Sequence, residues 1–182
     1  RSSDLTISSR EASDCADVDI AVLTVSGGAL KPGQTRLDEL TNTATIVKSL
    51  IPQMMSGGFN GIFLIATNPC DIITWQVWRL SGLPRSQVLG TGVWLDTTRL
   101  RRVLAQELDI GAQSIDAFIL GEHGDTQFPV WSHSAVYGAA IGDVYQKHTG
   151  QILDRERIAE KVRRLGFEIY AGKGCTEYGV AG

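Results

Sequence analysis

The sequence predicts an α/β fold built on a parallel sheet, and three observations carry that reading. Two short apolar runs rich in β-branched residues, Val18 to Val25 (VDIAVLTV) and Gly61 to Ala66 (GIFLIA), have the length and composition of buried strands. Between them Leu37, Leu40, Ala44, Val47, Ile51 and Met54 recur at spacings of three and four, which predicts a helix with one apolar stripe that stops near Gly57-Gly58. Buried strands joined by a crossover helix form a βαβ unit, whose apolar strands imply a parallel sheet covered on both faces.

The remaining elements follow in order. The loop Gly27 to Gln34, with Pro32 and Gly33, reads as mobile and exposed. A helix is predicted over Asp71 to Leu80, a turn over Gly82 to Pro84 and a short strand over Gln87 to Leu89. After Gly90-Thr91-Gly92 the pattern changes, so the domain boundary is placed there, dividing residues 1–90 from 91–182. Leu95 to Leu108 is strongly helical and Ser114 to Leu120 reads as a strand ending at Gly121. Phe128 to Ala140 fits either a strand or a partly helical segment, and Asp154 to Tyr170 reads as a charged amphipathic helix with Ile158, Val162, Leu165 and Ile169 on one side.

Composition excludes several classes. The 182 residues carry 17 basic and 20 acidic side chains, a net charge of −3, with 43% apolar and 20% charged residues. That balance is ordinary for a globular chain and too weakly basic for a nucleic-acid binder. A chain this long buries roughly 70% of its unfolded surface without covalent staples. Cys15, Cys70 and Cys175 form no C-x-x-C pair, so neither a disulfide framework nor a metal site is expected, and reduced thiols in the cytoplasm are the simplest account. Arg1 to Asp14 is polar, and nowhere do about 18 apolar residues run together, so neither a signal peptide nor a membrane span is expected.

Parallel sheets bind ligands at the carboxyl ends of their strands, which here carry Ser26-Gly27-Gly28 and Thr67-Asn68-Pro69. His123 stands out among three histidines because Gly121-Glu122-His123-Gly124-Asp125 follows a strand directly. Flanking glycines let backbone and ligand approach closely, and histidine changes charge near neutral pH, although a capped turn histidine fits the same local sequence. Asp96 and Arg99, three apart at a helix start, share one helix face. They form either a solvated ion pair or a pair in which Arg99 forks a ligand carboxylate while Asp96 turns to an imidazole. Arg36, on the loop after Lys31-Pro32-Gly33, is either a solvated cation or one that closes over a ligand. Asn68 either caps the following turn or offers its amide to a ligand.

Three separated motifs, Thr67-Asn68-Pro69-Cys70-Asp71, Leu95-Asp96-Thr97-Thr98-Arg99 and Leu120-Gly121-Glu122-His123-Gly124-Asp125, resemble those of the L-lactate and malate dehydrogenase family in order and spacing. Leu80-Ser81-Gly82-Leu83-Pro84 and Gly172-Lys173-Gly174-Cys175-Thr176 extend the likeness over nearly the whole chain. The resemblance implies a partial Rossmann-like sheet followed by the start of an α+β substrate domain. It also implies an NAD-dependent oxidoreductase that moves a hydride to or from C2 of a 2-oxo or 2-hydroxy acid. His123 then exchanges the proton, Asp96 fixes its tautomer, Arg99 clamps the substrate carboxylate and Arg36 closes over the site. Ser26, Gly27 and Asn68 fall where the family holds the cofactor, and the family assembles as homo-oligomers.

The resemblance places Leu30 at the position that selects substrate, where lactate enzymes carry Gln and malate enzymes Arg. Leu30 argues against a second substrate carboxylate and for apolar side chains, as in L-2-hydroxyisocaproate dehydrogenases. Thr176 matches a position lining the same pocket, beside an atypical Glu177. Plain lactate dehydrogenase activity is the enzyme alternative. The chain holds no G-x-G-x-x-G followed about 20 residues on by an acidic residue, the usual dinucleotide anchor. It therefore reads as truncated at both ends, which keeps a noncatalytic assembly module as the alternative of another class. Arg101 matches one residue of a fructose 1,6-bisphosphate site found in some bacterial members, but Asp116 stands where that site has a His.

Overall fold

Strands β1 (Ile20–Leu23), β2 (Ile62–Ile65) and β3 (Val88–Gly90) lie side by side, all parallel, in the order β1-β2-β3. They belong to a computed structural model that describes residues 6–28 and 36–173. The chain divides into two compact units, residues 1–90 and 91–182.

In the first unit, α1 (Arg36–Ser56) and α2 (Cys70–Ser81) make the two crossovers. Sheet register sorts the strand side chains by period two. Ala21, Phe63 and Val88 form one cross-strand row, and Leu23 and Ile65 continue that face, packing with Val47, Ile51 and Met54 of α1 and Ile73 and Val77 of α2. Gly90 has no Cβ to collide with the Thr74 hydroxyl and the Cys70 thiol, which lets α2 lie close to β3.

The opposite face departs from the sequence expectation of a sheet covered on both sides. Ile20, Val22, Ile62 and Leu89 are 58%, 56%, 36% and 45% exposed, so among the described residues only one face is covered. Both crossovers turn the same way, which puts both helices on one side.

In the second unit, α3 (Trp94–Leu108) buries Leu100, Val103, Leu104 and Leu108. That stripe packs with Ile141 and Tyr145 of α4 (Ile141–Thr149) and Ile158 and Val162 of α5 (Arg155–Lys173). The strand expected over 114–120 is two short ones. β4 (Ile115–Asp116) pairs antiparallel with β7 (Ala135–Val136), while β5 (Ile119–Leu120) pairs with β6 (Phe128–Pro129). The chain changes partners at Ala117-Phe118, where Arg101 Nε donates to the Ala117 carbonyl at 3.0 Å. The undecided stretch 128–140 holds β6, β7 and β8 (Ala139–Ala140), and β7 turns into β8 through Tyr137 and Gly138, both at positive φ as a two-residue hairpin of type I′ requires. Helix α4 is one that the sequence reading does not contain.

Candidate active site

Asp96 lies in the first turn of α3, where the exposed N–H groups of the helix end favour a negative charge. It is only 1% exposed and accepts two charge-assisted hydrogen bonds. Oδ1 takes Nη1 of Arg99 at 3.0 Å, one turn along the helix, and Oδ2 faces Nδ1 of His123 at 2.5 Å, 27 residues away in sequence. A carboxylate removed from water is tolerable only when paired and hydrogen-bonded in this way.

The loop that delivers His123 spans the β5–β6 hairpin. Gly121 at φ 96° lets the chain leave β5 in a conformation L residues avoid, and a side chain there would press on the Thr126 carbonyl. Thr126 Oγ1 donates to Glu122 at 2.7 Å and closes the loop. The hairpin is tied to α3 by Thr97, buried beside Asp96, whose Oγ1 accepts the Ile119 N–H at 2.9 Å. The sequence offers one signal for Thr97, its place between Asp96 and Arg99 at the start of a helix.

His123, Asp96 and Arg99 are thus drawn together, and Arg99 is 12% exposed on its side chain. Its Nε is buried with no hydrogen-bond partner among the described residues. The cluster offers a donor fork for a planar anion and an imidazole whose Nδ1 is committed to a carboxylate. Such a set can hold a carboxylate and exchange a proton through Nε2.

Both parts of the chain match family models. Residues 1–90 match the lactate/malate dehydrogenase NAD-binding domain and residues 94–182 the lactate/malate dehydrogenase alpha/beta C-terminal domain. The chain belongs to the lactate/malate dehydrogenase family. It is 72% identical over 176 residues to L-lactate dehydrogenase 2 of Listeria innocua, covering 97% of this chain and 57% of that one. It is 48% identical to L-lactate dehydrogenase 3 of Bacillus cereus, covering 92% and 53%. Among solved structures it resembles the minor L-lactate dehydrogenase of Enterococcus mundtii in its ligands-bound form, with a TM-score of 0.86 and 41% identity over 94% of this chain and 55% of that one. The chain spans a little over half the length of these relatives.

The remaining candidates divide between described and undescribed residues. Asn68 is exposed just beyond β2, followed by a cis bond to Pro69, and no side chain caps α2. Arg36, expected on a loop, is the first residue of α1; its side chain lies outside the described residues. Leu30, Thr176 and Glu177 also fall outside them.

For the cofactor, the carboxyl edge of the first unit's sheet can be tested directly. Gly27 N–H donates to the buried Thr43 hydroxyl at 3.0 Å and Gly28 N–H to Ser26 Oγ at 3.2 Å, which fixes the loop after β1 against α1. Gly28, at φ 99°, meets no atom of the described residues within 4 Å where a side chain would stand. At the end of β2, Thr67 Oγ1 donates to the Leu23 carbonyl at 3.2 Å. This polar edge suits part of a dinucleotide, while the chain's sequence contains no glycine-rich pyrophosphate turn.

Proposed function

We propose that this chain carries the catalytic groups of an NAD-dependent L-2-hydroxyacid dehydrogenase acting on 2-oxo acids with apolar side chains. The observation that supports it most is the buried Asp96 shared by Arg99 and His123. In this reading Arg99 forks the substrate carboxylate, for which its planar pair of donors is suited. During reduction negative charge grows on the substrate carbonyl oxygen, and protonated His123 donates from Nε2 to that oxygen. In oxidation neutral His123 takes the hydroxyl proton at the same nitrogen. Asp96 holds Nδ1–H, fixing the tautomer in which Nε2 exchanges the proton. When bound, the nicotinamide supplies or accepts the hydride at C2.

Ser26, Gly27 and Asn68 are assigned to cofactor binding, Arg36 to a second cation over the substrate, and Leu30 and Thr176 to the substrate side chain. An apolar Leu30 leaves a second carboxylate unpaired and favours larger side chains by about 0.8 kcal/mol per buried methylene. Lactate and pyruvate are the second reading, favoured by the names of the Listeria and Bacillus relatives. We place the protein in the cytoplasm as a homo-oligomer, a setting that suits the buried Cys15 and Cys70, which form no disulfide among the described residues. No described helix is long and apolar enough to cross a membrane.

The test uses a full-length chain in which these 182 residues are joined to the flanking sequence of the Listeria innocua relative. His123→Ala should lower kcat for reduction by about 100-fold or more with the fold intact. Unchanged turnover would return the chain to the assembly-module reading. The ratio of kcat/KM for 2-oxoisocaproate and pyruvate decides between the two substrate readings.

A further inference from the structure

Gly166 occupies the middle of α5, where glycine is a poor helix former. A methyl built at that position would meet three atoms first, and all belong to one guanidinium. Nη1 of Arg99 would be 3.3 Å away, Nη2 3.5 Å and Cζ 3.6 Å. Helix α5 therefore presents bare backbone to Arg99, the residue that already gives Nη1 to Asp96 and keeps a buried Nε without a partner among the described residues.

We infer that Gly166 is a positioning residue for carboxylate recognition: its missing side chain keeps open the flank on which the Arg99 guanidinium shifts as it takes a substrate carboxylate. The inference rests on the proposed role of Arg99. The guanidinium is nearly enclosed, bonded on one side to Asp96, and a two-bond fork demands alignment of both donors with both carboxylate oxygens. An alanine methyl would move the group by a few tenths of an ångström, toward misalignment. A glycine kept only for close helix packing would instead lose stability on replacement, whereas free of that role alanine is the better residue for a helix interior.

The experiment compares Gly166→Ala, Arg99→Lys and the double variant in the same full-length chain, measuring KM and kcat for pyruvate and 2-oxoisocaproate together with the thermal midpoint. Gly166→Ala should raise KM for both acids about tenfold, hold kcat within about twofold and leave the midpoint unchanged or higher. On the Arg99→Lys background, whose narrow ammonium does not fill that flank, the alanine should add nothing further to KM. An unchanged KM in Gly166→Ala, when Arg99→Lys alone raises it, overturns the inference and leaves the role of Arg99 standing. An equal alanine effect on both backgrounds, or loss of folding, also overturns it by assigning Gly166 to helix packing. If Arg99→Lys itself leaves KM unchanged, the proposed function fails first and the inference with it.

Discussion

Replacing Asp96 by Asn changes one oxygen for an NH2 group and removes one buried charge, and the structure sets the size of the response. The carboxylate is 1% exposed and serves two donors, Arg99 Nη1 at 3.0 Å and His123 Nδ1 at 2.5 Å. An amide has a single acceptor oxygen, so one partner must face its NH2 group. If Arg99 keeps the oxygen, the neutral imidazole accepts from the amide at Nδ1 and carries its hydrogen on Nε2, the wrong tautomer for taking a proton from an alcohol. The lost charge-assisted bond costs about 1.5–3 kcal/mol of stability. Turnover in the oxidative direction should fall about 100-fold, or about 2.7 kcal/mol of transition-state stabilisation. Steady-state rates of nicotinamide reduction, with circular dichroism as the folding control, check both. A folded Asp96→Asn variant with wild-type kcat would refute the reasoning that Asp96 sets the state of His123.

Three other outcomes are expected. Glu107 on α3 accepts two bonds from Arg157, and with help from Tyr145 and Lys161 its carboxyl is held down to about 2 from an ordinary 4.5. A depressed folded-state value contributes stability that is present above pH 4.5 and lost as pH falls toward 2, so Glu107→Gln should flatten acid unfolding over that window in pH-dependent thermal melts, removing about 1 kcal/mol at neutral pH. The open row Ile20, Val22, Ile62 and Leu89 should make the isolated 182-residue chain bind a hydrophobic dye and aggregate, and Val22→Lys should reduce both in fluorescence and light-scattering assays, since a wide exposed apolar face is an association surface. Fructose 1,6-bisphosphate should not activate the full-length chain in rate assays, because Arg101 is spent on the Ala117 carbonyl and the Phe118 ring while exposed Asp116 repels phosphate.

What could be read in advance followed from the range over which each signal acts. Helix α1 declares itself through Val47, Ile51 and Met54, and α3 through Leu100, Val103, Leu104 and Leu108, because an apolar stripe repeated over many residues is a local property. Strands β4 to β8 are two residues each, too short for any periodicity, and the hairpin at Tyr137-Gly138 hides behind a tyrosine at φ 48°. The uncovered sheet face depends on which side both crossover helices take, and apolar strand runs do not encode that. At the site, Asp96 and Arg99 were visible as an i, i+3 pair, and His123 as a loop histidine between glycines. Their union through a contact 27 residues apart is tertiary; the local sequence allows Asp96 to turn to an imidazole, and only the family motifs name His123 as that imidazole. Gly166 carried one faint signal, a glycine inside a helical pattern.

The most direct measurement is a crystal structure of the full-length chain with reduced cofactor and oxamate, an unreactive 2-oxo acid analogue. The account predicts the oxamate carboxylate forked by Arg99 and its carbonyl oxygen within hydrogen-bond reach of His123 Nε2, with Nδ1 still on Asp96. Oxamate held by other cations, with His123 turned to solvent, would contradict it.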